Sequence, residues 1–214
     1  MRGNVSGDHR DIRRQYQSRT LSRGDLNADP TRQFSVWLTD VLELELKDAT
    51  AMALATADAK GMPSVRIVLL KEHSDDGFVF YSDYSSQKGH DICANPSGEL
   101  LFHWRELDRQ VRIRGELART PREDAEKYFA SRPRASQISA IASAQSSPID
   151  SRTSLETKVA NAEAQDAIEC PPDWGGYVLI PTYFEFWQGR ADRLHDRFAY
   201  TLSDKVWQIT RLQP

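Results

Sequence analysis

The feature that most constrains this chain is a series of short apolar-rich runs between residues 51 and 117, each closed by turn-forming residues. Runs at 51–56, 64–70, 78–81, 99–104 and 110–117 have strand length, and Lys60-Gly61 and Asp75-Asp76-Gly77 supply turns between them. Short strands at such spacing predict an antiparallel barrel or sandwich. Residues 177–180, 183–187, 197–201 and 206–211 read as four further strands.

Helical patterns flank this block. Asp29-Pro30 has the form of an N-cap followed by a first-turn proline. Phe34, Trp37, Leu38, Val41, Leu42 and Leu44 then recur at mostly helical spacing, which predicts a helix to about residue 46. Residues 85–94 predict a short helix that stops before Asn95-Pro96. Pro121 opens a further helix ending near Pro133, and 134–143 and 151–166 read as helices too. The expected fold is mainly β with flanking helices, organised as a polar arm at 1–28, a candidate mobile lid, and a single domain at 29–214.

Several function classes are excluded or disfavoured. A formal net charge of -3 lacks the dominant basic field of a general nucleic-acid or membrane-surface binder. Cys93 and Cys170 have no metal-ligand spacing, and neither do the histidines at 9, 73, 90, 103 and 195, so no metal site is expected. The cysteine usage fits a reducing cytoplasm. No Gly-x-Gly-x-x-Gly or Walker loop appears, so phosphate binding here falls to side chains.

Four segments offer such side chains. Arg66 and Lys71 have opposite strand parity and lie about 16 Å apart on standard rise, so they would serve two different anions. Ser85-Ser86-Gln87-Lys88-Gly89 places hydroxyls and a lysine at a helix start, where unpaired N–H groups favour anions. Tyr128 and Arg132 stand four apart on one helical face, and Pro133 lets Arg132 and Ser136 turn toward one point. Arg193, His195 and Arg197 share parity and would line one face of a strand, a cationic row suited to an anion or an electron-rich ring.

Taken in order, residues 66–71, 128–137, Gln145-Ser146-Ser147, 185–189, 193–198 and the closing Arg211-Leu212-Gln213-Pro214 resemble the pyridoxine/pyridoxamine 5′-phosphate oxidase family. The resemblance implies an FMN-binding split β-barrel, assembled as a homodimer with FMN at the subunit interface. It implies FMN contacts from Arg66, Ile67, Val68, Leu69, Leu70, Lys71, Tyr81, Ser82, Lys88, Gln110, Gln145, Ser146, Trp187 and Arg197. Lys71, Tyr128, Arg132 and Ser136 would hold the substrate phosphate. Arg193 and His195 would lie beside the substrate ring as the catalytic pair, with Arg13 and Tyr16 in a lid. The implied reaction passes hydride from C4′ of pyridoxine or pyridoxamine 5′-phosphate to flavin N5, and O2 then takes up the electrons as H2O2. Rivals are a phenazine-type FMN oxidase of the same fold and a carrier of flavin or pyridoxal phosphate without turnover. Gln87 departs from the family pattern, which commonly has Arg there, and Ser139 or a neighbour stands for a common Gly.

Overall fold

The computed structural model describes Tyr16 and residues 20–214. Nine antiparallel strands form one curled sheet: β1 (Ala51–Ala57), β2 (Pro63–Leu69), β3 (Glu72–Ser74), β4 (Gly77–Asp83), β5 (Ser97–Trp104), β6 (Arg109–Arg119), β7 (Trp174–Gln188), β8 (Asp196–Ser203) and β9 (Val206–Leu212). The order is β2-β1-β5-β6-β7-β4-β3, with β8 and β9 continuing from the second half of β7. Five helices stand outside: α1 (Pro30–Leu42), α2 (Gln87–Ala94), α3 (Arg122–Ser131), α4 (Arg134–Ala142) and α5 (Arg152–Glu163).

Sequence patterning explains most of this. Asp29 caps α1 by accepting from the Thr31 and Arg32 amides. The helix stops at Leu42, earlier than the apolar spacing suggests, because Leu42 and Leu44 are exposed while Phe34, Trp37, Leu38 and Val41 are buried. Those buried residues seal the inner face of the sheet. Phe34 sits 4.9 Å edge-on to Phe78, and Trp37 5.1 Å edge-on to Phe186. Each such ring contributes roughly 1.5–3 kcal/mol by leaving water.

Two readings need correction. Residues 177–180 and 183–187 belong to one fifteen-residue strand that runs through Pro181. Pro181 lies opposite Gly115, where the β6–β7 register shifts. A Cβ on Gly115 would come within 1.9 Å of the Ile180 carbonyl oxygen, so only glycine tolerates that approach. The second correction concerns Arg193, His195 and Arg197, which do not share a strand face. Arg193 lies in a short 3-10 turn (Ala191–Arg193) at φ 63, His195 follows the turn, and only Arg197 is in β8.

The outer face of the sheet is the more informative for function. Cross-strand partners align Val65, Ile67 and Leu69 of β2 with Ala51, Ala53 and Ala55 of β1. The row continues through Glu99 and Leu101, then Gln110, Arg112 and Arg114, then Tyr183, Glu185 and Trp187, and ends at Arg197 and Ala199. Val65, Ile67 and Leu69 are exposed apolar residues on this face. Residues 20–28 pack onto the sheet: Leu21 and Leu26 are buried, and the Leu21 amide donates to Asp196. No helix among the described residues is long and apolar enough to cross a membrane.

Candidate active site

A cleft of about 940 Å³ lies where the ends of β2 and β4 meet α2, the α3–α4 break and α5. Its walls carry Ile67, Val68, Leu69, Lys71, Tyr81, Ser82, Lys88, Tyr128, Arg132, Ser136 and Gln145, eleven of the side chains expected to bind cofactor or substrate. A neighbouring cleft of about 790 Å³ shares Asp83, Ala142 and Gln145 but is lined by none of Lys71, Lys88, Tyr128 and Arg132.

The four residues expected to hold a substrate phosphate, Lys71, Tyr128, Arg132 and Ser136, line this one cleft. α3 ends at Ser131, Arg132 adopts extended backbone, and α4 restarts at Arg134 after Pro133. Gln137 holds this break by donating from Nε2 to the carbonyls of Phe129, Ala130 and Arg132. The Arg132 guanidinium lies 4.8 Å over the Trp174 ring, and its buried Nη1 has no hydrogen-bond partner among the described residues. An unsatisfied buried guanidinium N–H is costly, and a phosphate oxygen would satisfy it. Tyr128 is stacked 4.0 Å from Tyr81, which is itself stacked on Trp174.

The second cation group lies deeper. The buried Lys88 ammonium donates to Ser86 Oγ, 2.8 Å away, and to Gln145, and to no carboxylate oxygen among the described residues. Burial, followed by the Arg66 charge, pulls its pKa down to about 8. Ser82 Oγ also donates to Gln145. Ser86 is the N-cap of α2, so the helix start and the lysine face the same place. Arg66 is more committed than its sequence position suggests. It donates to Leu54 O, Thr56 Oγ1, Ser64 O and Ser64 Oγ, and lies 3.5 Å from the buried Asp91 carboxylate. Arg66 does not line the cleft, nor do buried Leu70 and exposed Ser146.

The remaining expected residues cluster elsewhere. Gln110 pairs with Trp187, and Trp187 with Arg197, at the far end of β7. Tyr16 stands edge-on to Trp187 at 5.7 Å and to His195 at 5.2 Å. A Cβ on Gly189 would come within 2.7 Å of the Tyr16 ring, so glycine there leaves room for that ring. His195 Nδ1 accepts from the Arg190 amide at 3.1 Å, which places the proton of the neutral ring on Nε2. Burial, then Arg193 and Arg197, lowers the His195 pKa, which favours the neutral ring. Arg13 lies outside the described residues. Sequence reasoning missed Trp174, Gln137 and Asp91 as parts of the site. Only Asp91, a carboxylate within a short helix beside the cationic motif, gave a readable signal.

A curled antiparallel barrel with buried cations and no dinucleotide loop defines the split-barrel class of flavin-binding oxidoreductases. The sequence pattern described as pyridoxamine 5′-phosphate oxidase matches residues 38–166, and that of the pyridoxine 5′-phosphate oxidase C-terminal dimerisation region matches 174–214. The chain therefore belongs to the pyridoxine/pyridoxamine 5′-phosphate oxidase family, whose members bind FMN. It is 51% identical over 212 residues to pyridoxine/pyridoxamine 5′-phosphate oxidase 1 of Hydrogenovibrio crunogenus, covering 97% of this chain and 98% of that one. It is 49% identical over 207 residues to the Herminiimonas arsenicoxydans enzyme of that name, with coverage of 95% and 98%. Among solved structures, PhzG from Burkholderia lata 383, in complex with tetrahydrophenazine-1-carboxylic acid, superimposes with a TM-score of 0.87 at 28% identity, covering 93% of this chain and all of that one.

Proposed function

We propose that this protein oxidises pyridoxine 5′-phosphate or pyridoxamine 5′-phosphate to pyridoxal 5′-phosphate, using FMN and O2 and releasing H2O2, with water displacing ammonia from the oxidised carbon when the substrate is the amine. The observation that carries this reading is the Arg132 guanidinium, whose buried Nη1 is unpartnered in a cleft shared with Lys71, Tyr128 and Ser136. That set provides two positive charges and two hydroxyls for a substrate phosphate. The donor set of Lys88, Ser82, Gln145 and the start of α2 fits a second phosphate, that of FMN, because a buried ammonium that donates to no carboxylate among the described residues calls for an anion. Arg66 contributes charge from behind Lys88.

FMN, when bound, would supply the two-electron acceptor for oxidation at the substrate C4′ and the route of those electrons to O2. The protein binds and orients. Lys71, Tyr128, Arg132 and Ser136 fix the substrate phosphate, and so place the carbon to be oxidised. His195 offers an Nε2 proton as a hydrogen-bond donor beside the ring. Arg193 adds positive charge there, and Tyr16 covers the pair from the N-terminal arm as a lid.

The same reading makes the active unit a homodimer with FMN between subunits. Trp174, by the phosphate clamp, and Trp187, by His195, stand at opposite ends of β7. That is on the order of 40 Å along an extended strand. A two-fold copy brings the far end of one chain to the cleft of the other and makes two identical composite sites. The exposed Val65, Ile67 and Leu69 continue into the small Ala51, Ala53 and Ala55, giving a flat apolar face for that copy. Residues 174–214, matched by the dimerisation region, carry Trp187, Arg193, His195 and Arg197.

Anaerobic spectroscopy of the FMN-loaded protein tests the function. Pyridoxine 5′-phosphate should bleach the flavin absorbance, and air should restore it with one H2O2 per turnover. Bleaching of equal rate by unphosphorylated pyridoxine, or only by a tricyclic acid like that bound to PhzG, would refute the assignment.

A further inference from the structure

Glu185 is the most unusual charged residue on the outer sheet face. Its side chain is 2% exposed, and carboxylates are seldom so buried without full pairing. Oε1 accepts from Arg197 Nε at 2.8 Å and lies 2.8 Å from Arg197 Nη2. Oε2 accepts from Arg112 Nη1 at 3.1 Å and from the Tyr183 hydroxyl at 3.2 Å. The Gln213 carbonyl takes a third Arg197 donor, Nη1, at 3.0 Å. Arg112 in turn pairs with Glu99, which also takes Arg114. Two guanidinium groups thus converge on one carboxylate, and Arg197 is gripped along one edge with its Nη1 tied to the C-terminal segment.

We infer that Glu185 is a positioning residue for the flavin site, acting through Arg197. The inference rests on the proposed role of Arg197 as an FMN contact. Arginine has several rotatable bonds, and an unrestrained guanidinium loses rotamer freedom when it meets a ligand. Glu185 removes that freedom beforehand. Oε1 takes both Nε and Nη2, which leaves the remaining N–H groups of Nη1 and Nη2 to face a ligand in a fixed plane. Arg112 supplies the balancing charge, so the triad keeps a net positive charge at Arg197 although the carboxylate is buried. Tyr183 holds the second oxygen, and burial, followed by the adjacent carboxylate, raises its own pKa, which keeps the hydroxyl protonated as a donor. A residue that merely joined β6, β7 and β8 would need no two-donor contact with a partly exposed arginine at the proposed interface.

The test is a double-mutant cycle on FMN affinity, read by flavin fluorescence on titration of apoprotein, with apoprotein melting temperature measured in parallel. Glu185→Gln keeps the shape but loses the charge. It should raise the FMN dissociation constant about tenfold, the scale of one charge-assisted hydrogen bond. Arg197→Ala should weaken binding at least as much, and adding Glu185→Gln to it should cost nothing further. Glu185→Asp, which keeps the charge but shortens the reach, should fall between Gln and wild type. If Glu185→Gln does not fold, Tyr183→Phe takes its place in the same cycle with a smaller loss expected. Equal losses in the Arg197 and Arg197→Ala backgrounds would show that Glu185 acts on the scaffold and would overturn the inference. Unchanged affinity in Glu185→Gln while Arg197→Ala binds weakly would overturn it too. Wild-type affinity in Arg197→Ala would instead remove Arg197 from the flavin site, and the inference with it.

Discussion

The guanidinium of Arg132 rests on the indole of Trp174, 4.8 Å from the ring centroid, with its Nη1 buried and without a hydrogen-bond partner among the described residues. The indole face holds the cation without consuming its donors, which leaves them for a ligand. Arg132→Ala should therefore raise KM for the phosphorylated substrate about ten- to a hundredfold, from a loss of about 1.5–3 kcal/mol. Trp174→Leu keeps the arginine but removes its platform, and should raise KM severalfold, from about 0.5–2 kcal/mol. Steady-state kinetics with pyridoxine 5′-phosphate check both. A Trp174→Leu enzyme with unaltered KM would mean that the stack does not orient Arg132.

Lys88 makes FMN affinity depend on pH in a defined direction. Its pKa in the protein alone is about 8, and a phosphate dianion beside it raises that value. Bound protein thus holds a proton that free protein gives up above pH 8. Affinity is full below about pH 8 and falls as pH rises from there through the raised pKa. Apoprotein stability moves the other way. The unfolded lysine titrates near 10.5 and binds more protons than the folded one between about pH 8 and 10.5, so this group makes the fold more stable as pH rises there. FMN titrations from pH 7 to 10 should show the loss, and Lys88→Gln should give a weaker but flatter profile. A wild-type curve flat to pH 10 would exclude the lysine as a phosphate ligand.

Gln87 bears on the same phosphate. Its Nε2 donates to Asp91 Oδ1 at 2.8 Å, on the carboxylate that also engages Arg66 and Thr56. Gln87→Arg would pair with Asp91 and leave more of the Arg66 charge for the cleft. FMN binding should tighten by about 0.3–1 kcal/mol. The gain should shrink as salt is raised, because exposed charges are screened over about 8–10 Å at physiological ionic strength. An unchanged dissociation constant at low salt would show that glutamine leaves no electrostatic gap there.

Arg193 and Arg197 should separate kinetically. Arg193 sits in a left-handed turn beside His195, and Arg197 is fixed in β8 by Glu185. Arg193→Ala should lower kcat and kcat/KM together while FMN affinity stays near wild type. Release of FMN by this substitution would merge the two roles.

How much of this was legible in the sequence differs by segment. The Asp29 cap, the α3–α4 break at Pro133 and the short strands followed from local rules, because caps, prolines and period-2 runs act over a few residues. The grouping proposed as a phosphate clamp was legible for the same reason: Tyr128, Arg132 and Ser136 flank one helix break and line one cleft. Arg193, His195 and Arg197 were misplaced because parity holds only within a strand, and Asp192 and Arg193 both take positive φ ahead of β8. The fused β7 was hidden by Pro181, whose accommodation depends on Gly115 on another strand. Trp174 gave no signal, since stacking under Arg132 is a long-range contact that no spacing encodes.

The division of the site between the two ends of β7 yields the most discriminating prediction. Arg132 belongs to the cleft near Trp174, and Arg193 to the cluster near Trp187. In a two-fold dimer each composite site takes one element from each chain. Arg132→Ala and Arg193→Ala homodimers would each have two defective sites. A hybrid of the two has one site with both defects and one with neither. Random reassociation of equal amounts makes half of the dimers hybrids, so activity should recover to about a quarter of wild type. Were each site built within one chain, every site in the hybrid would keep one defect, and mixing would recover nothing beyond the average of the parents. Unfolding and refolding the two variants together, with each refolded alone as a control, separates these outcomes by an oxygen-uptake assay.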